Sequence, residues 1–143
     1  MHWTCRCRRA YGPNPAVLWS PVLYRWFAQV LLRNGDALYV TDGVYGSLSD
    51  AGVPGFRFPA RLLRPDGPPA AATMRDYTLF GPTCDSADRM SGPFSLPADV
   101  AEEDWIEIGQ LGAYGACLRT GFNGFDTICA AEVRDPPMLP TQI

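Results

Sequence analysis

Fourteen glycines and fourteen prolines punctuate this 143-residue chain, and that density limits what it can fold into. Inside a helix a glycine costs about 1 kcal/mol and a proline about 3 kcal/mol relative to alanine. So many breakers argue against a helix bundle and for short strands joined by turns. The length is that of one ordinary domain. Apolar residues make up 47% and charged residues 19%, enough to bury a core and too apolar for a disordered chain.

The strands can be read from the pattern. Asn34-Gly35 is a strong hairpin signal leading into the apolar run at 36–40. Phe56, Phe58, Ala60 and Leu62 alternate with Arg57, Pro59, Arg61 and Leu63, which predicts a strand. Residues 74–80, 105–108 and 127–133 predict three more. Helical periodicity is weak except over 17–32, where Pro21 interrupts it. The expected fold is all-β: an antiparallel, Greek-key-like barrel or sandwich with short helical turns. Residues 135–143 read as an extended or disordered tail.

Charge and residue types exclude several chemistries. All 12 basic residues are arginine, and the one histidine is His2. The chain therefore cannot form a lysine Schiff base by itself, nor plausibly build a Ser-His-Asp triad or a multi-histidine metal site. A net charge of −3 gives no sign of a nucleic-acid partner. Cys5, Cys7, Cys84, Cys117 and Cys129 are odd in number and irregular in spacing, which favours reduced thiols and a cytoplasmic location. Cys5, Cys7 and His2 are too few for a structural metal site, and Cys117 and Cys129 read as small core residues.

Composition shifts near residue 30. Residues 1–30 hold four arginines, no acid, and three of the four tryptophans; residues 31–143 hold 8 arginines against 15 acids. Pro21 and Arg25 interrupt both a signal peptide and a membrane span. The remaining reading makes residues 1–29 a segment foreign to the domain, out of frame or disordered. The domain then covers 30–134 and the tail 135–143.

The polar motifs fall in the turns. They are DGVYGS at 42–47, GPTCDSAD at 81–88, GAY at 112–114 and FNGF at 122–125. Any one alone would be ordinary turn chemistry. In series they resemble the C-terminal β-barrel of the pyridoxal-phosphate decarboxylases of the ornithine, diaminopimelate and arginine group, from about residue 30 to 133. Asp in GPTCDS, and FNGF, resemble the ornithine branch.

That resemblance implies roles. Cys84 matches the residue that assists reprotonation after carbon dioxide leaves, acting in a partner subunit's site. Asp85 matches the carboxylate that holds the distal ammonium of a diamino acid, and Tyr114 a tyrosine that hydrogen-bonds the cofactor phosphate. Tyr45, Asp88 and Phe122 match residues near the dimer interface and the shared site; core packing is an equal reading for Tyr45 and Phe122. A second distal-amine acid is expected after GVYGS. The nearest here is Asp50, at a shorter spacing, which leaves ornithine and lysine both open as substrates. The Schiff-base lysine, the glycine-rich phosphate loop and an EPGR-type segment are missing. The implied function is thus the C-terminal part of a decarboxylase that makes putrescine from ornithine for polyamine synthesis, inactive alone and working in a homodimer or with a full-length subunit. The implied cofactor is pyridoxal phosphate; no metal, nucleic acid or membrane is expected. The competing class is a non-catalytic, decarboxylase-like module that pairs with a relative and regulates it.

Overall fold

The computed structural model describes residues 24–111 and 114–127. Six strands form one sheet: β1 (Tyr24–Asn34), β2 (Ala37–Val40), β3 (Ala60–Leu63), β4 (Met74–Phe80), β5 (Arg89–Pro97) and β6 (Trp105–Leu111). A four-residue helix, α1 (Tyr114–Cys117), and the 3-10 turns Ser49–Gly52 and Phe122–Gly124 are the helical elements among the described residues. The order across the sheet is β3-β6-β1-β2-β4-β5. The two edge strands, β3 and β5, pack on one another, so the sheet curls into a nearly closed barrel. The all-β expectation with short helical turns is met.

Four of the five strand pairs are antiparallel, and β2 and β4 run parallel. A parallel pair needs a long crossover, and the chain between β2 and β4 supplies it through the 3-10 turn Ser49–Gly52 and β3. The consequence is geometric. Parallel neighbours end at the same rim, so the turns that leave β2 and β4 emerge side by side.

The barrel interior takes one face of each strand. Ala28 and Val30 of β1, Leu38 and Val40 of β2, Tyr77 and Leu79 of β4, and Ile106 and Ile108 of β6 are all buried, together with Met90, Phe94 and Leu96 of β5. Each side chain of leucine size contributes about 1.5–3 kcal/mol on burial. Outside the core, the Arg64 fork takes both oxygens of Asp104, at 2.7 Å each, and reaches Asp99 at 3.0 Å. That closes the chain after β3 onto the turn before β6.

Three expectations from the sequence are corrected. The boundary near residue 30 lies inside β1, a strand that pairs with β6 through Trp26–Gln29 and with β2 through Val30–Asn34. Residues 24–29 therefore belong to the sheet; residues 1–23 lie outside the described residues. Arg25 had looked like an interruption, but its side chain is 6% exposed and its guanidinium lies 2.9 Å from the fully buried Glu107. Arg61 donates to the other oxygen of that carboxylate. Second, the strand expected from residue 56 starts only at Ala60; residues 56–59 are irregular. Third, β5 was not expected, because Gly92, Pro93 and Pro97 hide it. Of the strand expected at 127–133, all but Thr127 lies outside the described residues, as does the tail at 135–143.

Removing one partner of a buried ion pair strands the other charge. Arg25→Ala should destabilise the domain by on the order of 3–5 kcal/mol in urea unfolding. Arg61→Ala, whose side chain is 54% exposed, should cost no more than about 1 kcal/mol. Equal small effects would mean that residues 24–29 are peripheral.

Candidate functional site

The turns after β2 and β4 are joined by one carboxylate. Asp88 is 1% exposed. Its Oδ1 accepts the Val44 amide at 2.8 Å, and its Oδ2 accepts the Thr83 amide at 3.2 Å and the Thr83 hydroxyl at 2.7 Å. Its own carbonyl accepts the Gly81 amide at 2.8 Å. Among the described residues no arginine pairs with it, so hydrogen-bond donors alone stabilise the buried charge. The backbone crowds this carboxylate. A Cβ at Gly43 would stand 2.1 Å from Oδ1, and one at Gly81 would stand 2.2 Å from Oδ2. Glycine at these two motif positions is a requirement of close approach.

A third segment, residues 114–127, closes over the pair. The Thr120 amide and hydroxyl both donate to the Tyr45 carbonyl, at 2.9 and 3.0 Å. Arg119 donates to the Ser47 hydroxyl at 2.7 Å and to the Thr127 carbonyl at 2.9 Å, and lies 3.6 Å from Asp42. The Phe122 ring sits on the Tyr45 ring with centroids 4.6 Å apart. The Asn123 side-chain amide donates to the Thr83 carbonyl at 2.8 Å. Thr83, Arg119, Thr120 and Asn123 were not singled out from sequence. Of these, Thr83 and Asn123 left a signal there, as parts of GPTCDSAD and FNGF.

These contacts present Cys84 and Asp85 together. Cys84 is exposed as a free thiol, with a backbone φ of 60°, a left-handed conformation that costs a non-glycine residue about 1–2 kcal/mol. Asp85 is half-buried; one oxygen accepts the Ala87 amide at 2.9 Å and the other the Tyr45 hydroxyl at 2.7 Å. The Ala87 amide first, and then the Tyr45 hydroxyl, hold the Asp85 carboxyl below the usual carboxylate range. The same hydrogen bond pushes the Tyr45 hydroxyl up, helped by desolvation and by the charges of Asp85 and Asp88. At neutral pH the pair is therefore a carboxylate and a neutral phenol.

Beside them runs an open groove of ≈ 520 Å³, with Leu31, Leu32, Tyr39, Phe80 and Phe125 along it and Cys84 and Asp85 at its edge. An apolar groove with one carboxylate suits an aliphatic chain that ends in a cation. The structure thus brings Tyr45, Cys84, Asp85, Asp88 and Phe122 into one constellation. Asp50 does not line the groove; it sits in the 3-10 turn Ser49–Gly52, where its carbonyl caps Val53. Tyr114 opens α1, and α1 presses on the first turn, since a Cβ at Gly115 would stand 2.6 Å from the Ser47 carbonyl. Cys117 is exposed at the end of α1, which corrects its reading as a core residue. Cys5, Cys7, Cys129 and His2 lie outside the described residues. Among the described residues no cluster of three His, Cys, Asp or Glu side chains could hold a metal, and no helix is long and apolar enough to cross a membrane.

Fold and site define a sheet domain that offers a thiol and a carboxylate at one rim. The chain belongs to the pyridoxal-dependent decarboxylase family: residues 14–112 match its C-terminal sheet domain. The match begins upstream of residue 30, in keeping with β1 as part of the domain. The decarboxylase flvG of Aspergillus flavus is 39% identical over 98 residues, covering 65% of this chain and 23% of that protein. The ornithine decarboxylase of Neurospora crassa is 33% identical over 107 residues, covering 66% of this chain and 22% of that one. The arginine decarboxylase of Paramecium bursaria Chlorella virus superposes with a TM-score of 0.57 at 27% identity, covering 72% of this chain and 28% of its own. The chain thus spans under a quarter of the length of these two sequence relatives.

Gly81→Ala should destabilise the domain by on the order of 3 kcal/mol, because the new methyl displaces the Asp88 carboxylate and strips buried amides of their acceptor. Chemical denaturation measures it; a change under about 0.5 kcal/mol would mean that Asp88 is not the lock. The Tyr45–Asp85 pair has its own pH signature. Asp85 is depressed, so its contribution holds above the unfolded carboxylate pKa and is lost as pH falls through the folded value. Tyr45 is raised, so its contribution is lost as pH rises through the folded tyrosine value. Tyr45→Phe should raise the Asp85 pKa in a carboxylate NMR titration, and an unmoved value would contradict the hydrogen bond.

Proposed function

We propose that this chain is the C-terminal part of a pyridoxal-phosphate-dependent decarboxylase that converts ornithine to putrescine in polyamine biosynthesis. One observation carries the reading: Asp85, ionised and aimed by Tyr45, stands beside the Cys84 thiol at an apolar groove. The apolar walls take the methylenes of a diamino acid and Asp85 takes its distal ammonium, which leaves Asp50 out of the substrate site. Misplaced charge in such a groove would stay unpaired, so one carboxylate sets chain length.

Pyridoxal phosphate, when bound, supplies the electron sink for loss of carbon dioxide. The chain fits this cofactor only in part. It contains no lysine, so the covalent anchor has to come from outside these 143 residues. Tyr114 is assigned a hydrogen bond to the cofactor phosphate. Cys84 is assigned delivery of a proton to the substrate α-carbon, a task open to an exposed thiol at the edge of the groove. Tyr45, Phe122 and Asp88 shape the rim that meets a second subunit. In this reading the assembly is a cytoplasmic homodimer, and the domain runs from upstream of β1 to about residue 134. The absence of lysine favours no activity in these 143 residues alone; the competing reading is a non-catalytic module that pairs with a full-length relative, against which the intact Cys84–Asp85 pair speaks.

Fusion to a lysine-bearing barrel domain from an ornithine decarboxylase separates the two. The fusion should release carbon dioxide from ornithine. Asp85→Ala should lower kcat/KM by roughly several hundred-fold, mainly through KM, and Cys84→Ala should mainly slow turnover. A fusion that binds the cofactor but stays silent with ornithine, lysine and arginine would favour the regulatory module. Full turnover in Asp85→Ala would instead remove Asp85 from the substrate site.

A further inference from the structure

We infer that Asn123 is a positioning residue for the Cys84–Asp85 pair, acting through the Thr83–Cys84 peptide. The inference deepens the decarboxylase reading and rests on it for the importance of that pair, though its geometry stands without any chemistry.

The peptide that enters Cys84 is gripped on two sides. The preceding amide and the hydroxyl of Thr83 are taken by Asp88. The Thr83 carbonyl, an atom of the Thr83–Cys84 peptide itself, is taken by the Asn123 side-chain amide at 2.8 Å across 40 positions of sequence. The φ angle of Cys84 is the rotation that immediately follows that peptide. A non-glycine residue at φ 60° persists only where its surroundings over-determine it, and these two grips do so. Asp85, the next residue, is then fixed between the Ala87 amide and the Tyr45 hydroxyl. Asn123 is itself held, because the segment that carries it is tied down by Arg119 to Ser47 and Thr127, and by Thr120 to the Tyr45 carbonyl. Segment 114–127 thereby sets the aim of a thiol and a carboxylate it does not contain.

A plainer account is available for asparagine here. Its own φ is 52°, and asparagine tolerates left-handed backbone better than most residues. Asn123→Gly distinguishes the two, because glycine accepts that φ without strain but has no amide to donate. The groups facing Asp85 are Tyr45, with Asp88 behind it, and neither is altered. The experiment uses the full 143-residue chain. The Asp85 pKa is followed by carboxylate NMR, and amide hydrogen exchange is followed at Thr83 and Ala87. In folded Asn123→Gly the Asp85 pKa should rise towards the ordinary value of about 3.9, and both amides should exchange roughly tenfold faster. If the glycine variant does not fold, Asn123→Asp, which keeps the backbone tolerance and loses the donor, should show the same faster exchange. Wild-type titration and wild-type exchange in the folded variant would overturn the inference and leave asparagine there for its backbone alone. Neither readout needs cofactor or turnover. An inactive fusion would overturn the decarboxylase reading without touching this one, and unmoved readouts would do the reverse.

Discussion

A buried carboxylate with no cation beside it is tolerated only where enough donors converge on it. At Asp88 the donors come from two turns that are about forty residues apart in sequence. That requirement governs the rest of the site. It demands glycine at Gly43 and Gly81, because no side chain fits between backbone and carboxylate. It places Thr83 so that its amide and hydroxyl both face inward, and it leaves Cys84 to turn outward in a left-handed conformation. The strain at Cys84 and the burial at Asp88 are two sides of one construction, in which a satisfied interior holds an exposed edge.

The barrel makes this possible through its one parallel pair. Had β2 and β4 run antiparallel, the turns that follow them would lie at opposite rims and Asp88 could not reach Val44. The first strand anchors the other side of the sheet, where Arg25 neutralises Glu107 in the interior. The outer face of β1 and β2 is less self-sufficient. Leu31 and Leu32 are about half exposed beside Tyr39, and Phe125 lies along the same groove as all three. An apolar surface that ends at a thiol and a carboxylate is of the kind that marks an interaction face or a ligand-binding groove.

Much of this could be read in the residues. Strands β2, β4 and β6 follow from alternating or continuous apolar runs, and the turn motifs pointed to Tyr45, Asp85, Asp88 and Phe122, which the fold brings together. What could not be read has physical reasons. Around Leu31 the pairing of β1 with β2 shifts register, so Leu31 and Leu32 both face out and the period of two is lost. In β5 the Gly92-Pro93 pair carries turn chemistry inside a strand. The parallel pairing of β2 with β4 is set by contacts distant in sequence, which local pattern does not encode. Asn123 and Arg119 look like ordinary polar turn residues until the chain closes and their partners, Thr83 and Ser47, arrive 40 and 72 positions away.

The central claim is that this domain contributes Cys84 and Asp85 to a site completed by another subunit. Mixed dimers of the barrel-fused protein test it most directly. One variant carries Asp85→Ala, and the other lacks the lysine of the added barrel; assayed at ornithine well below the KM of Asp85→Ala, each alone has at most residual activity. If the site is shared across a two-fold interface, random reassociation gives half heterodimers, each with one intact site of two. Activity should then return to roughly a quarter of the unmutated level. A mixture that stays at the baseline of the separate variants, with heterodimers demonstrably formed, would place the whole site within one subunit and contradict the account.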